Sequence, residues 1–289
     1  MLPLSNRWWP MTIVVTVKIN DGIVLAADSA TSFFRDDGNV LKIYNNANKT
    51  FNLVKGLSIG ALTFGSGGIG SSSISTLTKD LRRRLSGEDP AHLDWKLDPN
   101  NYTLESVASR VREFFFEDKF LSAYGDNPPD DFMMGYKLCG YSSGAEQPEL
   151  WDVPITAEGL VPKIIRDTSS CGANWDGEYE AMDRLFFGLG SNFRLALLNR
   201  GLPADQVNEI YLGLASELSA PLIIPAMPIQ DAIELARFMV ETTIRYVRFN
   251  LRSETVGGPI EIAAITKHEG FKWVQRKLFY QSDLNPPAG

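Results

Sequence analysis

Residues 12–29, TIVVTVKINDGIVLAADS, are the segment that says most about the fold. Two apolar runs rich in valine and isoleucine flank Asn20-Asp21-Gly22, and a turn of this composition between such runs predicts a β-hairpin. The hairpin opens on Thr12, and Asp28 follows it sixteen residues later. The folded part of the chain is therefore expected to begin with an antiparallel pair of strands.

The rest of the chain alternates blocks of strands with pairs of helices. Residues 29–48 are polar and turn-rich. Apolar residues recur at helical spacing from Ser73, with Gly87 as a stop signal, and from Thr103, which is a threonine cap followed by acid in the first turn. The other predicted elements are a strand or strand pair within 50–64, a three-strand meander within 131–166, helices over 192–199, after Pro203 and over 229–249, and a closing hairpin within 260–274.

This order predicts the fold class. Two blocks of antiparallel strands with helices inserted in pairs favour an α+β fold, a four-layer αββα sandwich, over a doubly wound parallel sheet. No repeat and no low-complexity linker interrupts the pattern, which favours one domain over residues 12–275. Residues 1–11 are then an N-terminal extension, and residues 276–289 are a C-terminal tail.

Composition excludes several classes of function. The net charge of −7 argues against a nucleic-acid partner, since phosphate binding needs a clustered basic surface. The two cysteines, Cys139 and Cys171, form no C-x-x-C pair, so neither a disulfide framework nor a zinc site is predicted, and no cofactor is expected. No stretch approaches the roughly 20 apolar residues that span a bilayer. We expect a cytoplasmic protein with no membrane partner.

Two further motif matches fail on their context. Gly65 to Gly70 fits G-x-G-x-x-G, but no parallel strand ending in an acidic residue follows about 20 residues later, as a dinucleotide site requires. Gly140 to Gly144 fits G-x-S-x-G, but no helix follows it, so a hairpin turn is predicted. The two histidines, His92 and His268, lie in predicted loops and leave little for a histidine triad.

Residues 12–29 resemble the mature amino terminus of proteasome β subunits and of the bacterial two-ring threonine peptidase, which are N-terminal-nucleophile hydrolases. In that family a threonine opens the first strand, and an aspartate follows at the spacing from Thr12 to Asp28. The late strand GGPIEIAAIT, residues 257–266, and the order of elements are also similar. The resemblance covers roughly residues 12–275 and implies a threonine-type endopeptidase.

The resemblance also implies the other site residues. The family's catalytic lysine is matched to Lys49, with Lys42 as the alternative if the extra loop residues lie after the lysine. Read from Lys49, the string KTFNLVKGLSIGA places Ala61 where a backbone amide forms the oxyanion hole, a position at which the family usually has glycine. The implied catalytic residues are Thr12, Asp28 and Lys49.

These residue types suit one reaction. A threonine hydroxyl is a poor nucleophile at neutral pH, but a free α-amino group with an ordinary pKa of ~7.7 to 8 can act as its general base. An ammonium at Lys49 favours the deprotonated amine and the developing alkoxide, and Asp28 holds that lysine in an ion pair. The expected reaction is hydrolysis of a peptide bond through an acyl-Thr12 intermediate.

Such a nucleophile must be the first residue of the mature chain, yet eleven residues precede it. Two explanations remain open. Translation can begin at Met11, in which case removal of the methionine exposes Thr12. Alternatively, residues 1–11 form a propeptide that is removed by self-cleavage.

The chain departs from the family's pattern in two places. Leu189, with Ser191 nearby, stands where the family has a serine that contacts the amino group, and residues 253–257 replace an Asp-x-x-Ser-Gly pattern. A catalytically silent ring subunit and a non-peptidase amidase are therefore alternatives. The resemblance further implies self-association into rings, a peptide or unfolded protein as substrate, an ATP-dependent unfoldase as partner, and an apolar P1 side chain between Ile59 and Thr63.

Overall fold

The amino-terminal hairpin forms the centre of the first antiparallel sheet. The structure is a computed structural model, and the residues that it describes are 12–35, 40–125, 127–129, 132–251 and 253–277. Every residue of β1 (Ile13–Ile19) and β2 (Gly22–Ala27) is buried, as the apolar pattern predicts. The order across the sheet is β12 (Gly172–Gly177), β1, β2, β13 (Glu261–Thr266) and β14 (Gly270–Gln275).

The register of the hairpin brings its two polar ends together. Val14 pairs with Ala27 and Ile19 pairs with Gly22, so Thr12, just before β1, lies at the same end of the sheet as Asp28, just after β2. Gly22 is required at the turn, since a Cβ there would lie 2.5 Å from the backbone oxygen of Ile265.

The second antiparallel sheet contains the predicted meander. Its order is β11 (Lys163–Arg166), β10 (Glu149–Thr156), β9 (Met133–Gly140), β6 (Ile59–Gly65) and β5 (Thr50–Asn52). Two small two-stranded sheets complete the described strands, and they consist of β3 (Thr31–Phe34) with β4 (Val40–Tyr44) and β7 (Gly68–Ile69) with β8 (Ser72–Ser73).

Seven α-helices lie in the described part of the chain. Ser73 and Thr103 cap the first two through their hydroxyls, and the cap at Thr103 was predicted from the sequence. The second continues through a π-helical segment, Glu113–Phe120, into the third. The helices are α1 (Ile74–Leu85), α2 (Leu104–Arg112), α3 (Leu121–Tyr124), α4 (Glu180–Phe187), α5 (Asn192–Leu198), α6 (Ala204–Glu217) and α7 (Ile229–Arg248).

The core consists of three apolar clusters, and β1 shows how they are separated. Val14 packs between the two sheets, with Leu62 of β6 and Leu150 of β10. Val15, whose side chain points to the opposite face, packs with α4 and α7. A third cluster joins α1 and α2 to the outer face of the second sheet. The fold is thus mixed, with antiparallel sheets that each carry helices.

Some elements were missed in the sequence. Residues 29–48 contain the hairpin of β3 and β4, and the segment before Leu189 contains β12 and α4. These strands are half-buried or exposed, so their side chains do not follow the strict apolar alternation on which strand prediction depends. The predictions for residues 1–11, including Met11, and for most of the C-terminal tail lie outside the described residues. Among the described helices, none has the length and apolar character needed to cross a membrane.

Candidate active site

Asp28 is a fully buried carboxylate at the end of β2. It accepts backbone hydrogen bonds from Ile13 at 3.0 Å, Ala30 at 3.1 Å and Gly257 at 3.0 Å. The hydroxyl of Thr12 donates to its Oδ1 atom at 2.7 Å. A buried charge is costly unless it is paired and hydrogen-bonded, so this set of donors fixes Asp28 in one position beside Thr12.

Lys49 supplies the opposite charge. Its Nζ atom lies 2.6 Å from Asp28 Oδ1 and also contacts Thr12 Oγ1. Burial lowers the pKa of Lys49, and the charge and hydrogen bond of Asp28 oppose this effect. Lys42, the alternative from the sequence, is exposed in β4 with its ammonium over the ring of Tyr44. The structure therefore brings Thr12, Asp28 and Lys49 together and leaves Lys42 apart.

Ala61, in contrast, does not reach this cluster. It is buried in the middle of β6, where it pairs with Phe51 of β5 and Leu138 of β9. Its amide belongs to the sheet, and its side chain lines neither of the clefts described below.

Gly65, at the end of the same strand, lines both of the clefts described below and was not among the site residues predicted from the sequence. The Thr63 amide donates to the Lys49 carbonyl at 2.9 Å, and alternate amides of a strand point to the same edge, so the Gly65 amide points towards the Lys49 side as well. At Gly65 the strand β6 extends beyond β5, since Thr50, the first residue of β5, pairs with Leu62. A glycine closing the apolar run IGALTFG was the available signal, and its φ of 80° is one that glycine adopts readily.

Two clefts meet at Thr12, Phe64 and Gly65. The first, which we call the serine-rich cleft, has a volume of about 810 Å³ and is lined by residues 12, 30–33, 46–49, 63–68, 70–75 and 124. Among these lining residues Lys49 is the only charged one. Its wall includes the Gly/Ser tract, which forms β7 and β8 and leads into α1.

The second, which we call the charged cleft, has a volume of about 600 Å³ and is lined by residues 12, 64, 65, 133, 166, 173–177, 179, 183 and 187. Asp176 and Asp183 both lie in its wall, and burial raises the pKa of each carboxyl group. The buried Lys137 lies 3.2 Å from Asp176 and 3.2 Å from Asp152. The indole of Trp175 donates to Asp183 at 2.9 Å, so both acids have a partner.

Of the other site positions named from the sequence, one lines a cleft and the rest lie away from both clefts. Leu189 is buried, and the nearby Ser191 uses its amide to bind Glu180. Thr63 lines the serine-rich cleft, whereas Ile59 is buried in the core away from it. In the described residues no group of three His, Cys, Asp or Glu side chains is arranged to hold a metal ion.

The fold and the site together describe a mixed α and β protein with a threonine, lysine and aspartate cluster between two clefts. No family model matches the chain, and no curated protein matches it. Among solved structures, the helical assembly of the Anbu complex from Pseudomonas aeruginosa is similar, with a TM-score of 0.50 and 18% identity over 94% of this chain and 90% of that chain. A likeness at this identity shows the fold alone.

These comparisons correct the family assignment made from residues 12–29. Assignment to the proteasome β subunits and the bacterial two-ring threonine peptidase is wrong: the solved structure that is similar is the Anbu complex, and neither a family model nor a curated protein supports the assignment. The likeness that is supported is a distant one, to the Anbu complex.

Proposed function

We propose that this protein hydrolyses amide bonds of peptides through the hydroxyl of Thr12, as a threonine-type hydrolase. The observation that carries the proposal is the contact of Thr12 Oγ1 with both Asp28 and Lys49 at the meeting point of two clefts. A nucleophile with a base in contact and a third group that orients the base is the arrangement typical of covalent hydrolysis.

The first step is acylation of the threonine. In the proposal, the hydroxyl oxygen of Thr12 attacks the carbonyl carbon of the substrate, and its proton passes to the neutral amine of Lys49. The lowered pKa of Lys49 supports this role, because it favours the neutral form. The amide of Gly65 stabilises the oxyanion. Collapse breaks the carbon–nitrogen bond, the proton moves from Lys49 to the leaving nitrogen, and an ester at Thr12 remains.

The second step is hydrolysis of that ester. Water attacks the acyl carbon and gives its proton to the α-amine of a chain that begins at Thr12, and this amine returns the proton to the threonine oxygen. The sum is amide plus water giving carboxylic acid plus amine. The sequence alone assigns the first proton to the α-amine as well. Lys49 replaces it in our first step because its amine contacts the hydroxyl.

We propose self-association as part of this function. The similar solved structure is a helical assembly of the Anbu complex, which supports an assembly of subunits here without fixing its geometry.

The proposal also includes the four-layer αββα arrangement of one domain over residues 12–275, supported by apolar packing between the sheets and against their outer faces. An ATP-dependent unfoldase partner stays a prediction from the sequence.

The test compares chains that begin at Thr12 with chains that retain residues 1–11. Each is incubated with internally quenched peptides, and Thr12→Ser and Thr12→Ala variants are assayed in parallel. We expect turnover by the chain that begins at Thr12, partial activity for Thr12→Ser, and a loss of about three orders of magnitude or more for Thr12→Ala. The retained extension blocks the α-amine and slows turnover. Parental rates in Thr12→Ala would rule out Thr12 as the nucleophile, and no turnover by the chain that begins at Thr12 would leave a silent subunit as the better explanation.

A further inference from the structure

The last described residue, Lys277, lies behind the candidate active site. Its side chain is buried, although it follows β14, which is only partly buried. Its ammonium donates to the hydroxyl of Ser29 at 2.9 Å and to the carbonyl of Ala47 at 2.6 Å. It also forms a buried ion pair with Glu261 of β13 at 3.1 Å. The group therefore has a partner in each of three separate segments.

Two of these segments carry the catalytic cluster. Ser29 directly follows Asp28, and Ala47 precedes Lys49 by two residues. The two segments are already joined, because the amide of Ala47 donates to the carbonyl of Ser29 at 2.9 Å. The ammonium of Lys277 adds a second link at the same place, so it restrains the separation of Asp28 and Lys49.

The third segment anchors the ammonium to the first sheet. Glu261 pairs with Ala27, the last residue of β2, and its carboxylate is almost fully buried. A buried ion pair is often no more stable than packed apolar side chains. The presence of Lys277 and Glu261 here is thus better explained by the position and charge they supply than by fold stability alone.

We propose that Lys277 is a positioning residue for the reaction at Thr12, which holds the segments of Asp28 and Lys49 together and places a second positive charge beside Lys49. This inference rests on the proposed function. Of the effects on the pKa of Lys49, burial is the largest and lowers it, Asp28 raises it, and the charge of Lys277 lowers it further. Burial likewise lowers the pKa of Lys277, against Glu261 and Asp28, and Arg276 adds to the lowering.

The experiment uses the full chain beginning at Thr12 and compares Lys277→Met, which removes the charge, with Lys277→Arg, which keeps it. Lys267→Met is the matched control, since Lys267 is exposed on the hairpin between β13 and β14 and pairs with Glu146. The readouts are kcat and KM for peptide hydrolysis across pH, and the pKa of Lys49 from ¹³C NMR of lysine ε-carbons, assigned with Lys49→Arg.

Lys277→Met is expected to raise the pKa of Lys49, to move the rising limb of the pH–kcat profile to higher pH, and to lower kcat about ten- to a hundredfold with less change in KM. Lys277→Arg retains the pKa of Lys49, and the Lys267 control changes nothing. An unchanged Lys49 pKa and pH profile in Lys277→Met, with only reduced stability, would overturn the proposal.

Two further outcomes remain decisive. If Lys277→Met does not fold, Lys277→Gln is titrated in its place, because its amide can still bind Ser29 while the charge is lost. If the parent chain hydrolyses no peptide, the proposed function fails, and the NMR titration still decides whether Lys277 sets the pKa of Lys49.

Discussion

The two clefts that meet at Thr12 differ in how charge is arranged in their walls. Among the described residues that line the serine-rich cleft, Lys49 is the only charged one; it is paired with Asp28, and the two together contact the threonine hydroxyl. In the charged cleft Asp176 is held by Lys137, which also pairs with Asp152. The first ion pair adjoins Thr12, whereas the second is shared among three groups. Substitutions in the two pairs should therefore have different effects.

Lys49→Arg should have the largest effect. Arginine keeps a positive charge beside Asp28 but cannot deprotonate at accessible pH, so the proposed first step loses its proton acceptor. Peptide hydrolysis is expected to fall about 10²- to 10⁴-fold. Because the pKa of Lys49 is lowered from 10.5, parental activity should rise with pH and level off below that value, and the variant should lose this limb. Lys42→Arg is the matched control, and full activity in Lys49→Arg would refute the role.

Asp28→Asn should be the most destabilising change in either pair. It leaves the buried Lys49 without its counter-charge and is expected to reduce the free energy of unfolding by about 3–5 kcal/mol. Asp176→Asn is the comparison, since Lys137 retains Asp152 and the expected cost is about 1 kcal/mol. Urea unfolding of both variants measures the difference. Equal costs would show that sharing the lysine between two acids does not protect the charged cleft.

Gly65→Ala should have a smaller effect, at the residue common to both clefts. A Cβ there would lie 2.5 Å from the backbone oxygen of Met133, and the backbone has a φ of 80°. We expect a loss of about 1–3 kcal/mol in unfolding free energy, together with reduced hydrolysis. Gly144→Ala is the control, because its φ of 72° is similar but no atom lies within 4 Å of the added Cβ. A Gly65 variant that matches this control in stability and activity would contradict the predicted strain and close contact at this position.

Much of the fold could be predicted because its central elements are strongly patterned. The two strands of the hairpin are rich in apolar residues and fully buried, and the helices that begin after Ser73 and Thr103 carry side-chain caps. β12 could not be predicted, since its side chains GANWDG show no alternation and are only half-buried. It is a strand because it pairs with β1, and a local sequence pattern does not predict this tertiary pairing.

Part of the candidate site could be predicted from the sequence. Thr12, Asp28 and Lys49 are the residues that the resemblance of the sequence implies, and they lie in contact. Ala61 was predicted from its distance along the chain from Lys49, but it lies within β6, whereas the end of this strand is Gly65. Lys277 could not be found from sequence, because its contacts with Ser29 depend on how the chain end folds back.

The role of Thr12 as the nucleophile is tested by treating the protein with a peptidyl β-lactone and measuring the intact mass and the masses of its peptides. A β-lactone acylates a nucleophilic hydroxyl by ring opening, so the whole mass of the reagent is added. If Thr12 is the nucleophile, we expect one adduct per chain, located on Thr12, and no adduct in Thr12→Ala. An adduct on another residue, or equal labelling of Thr12→Ala, would contradict Thr12 as the nucleophile.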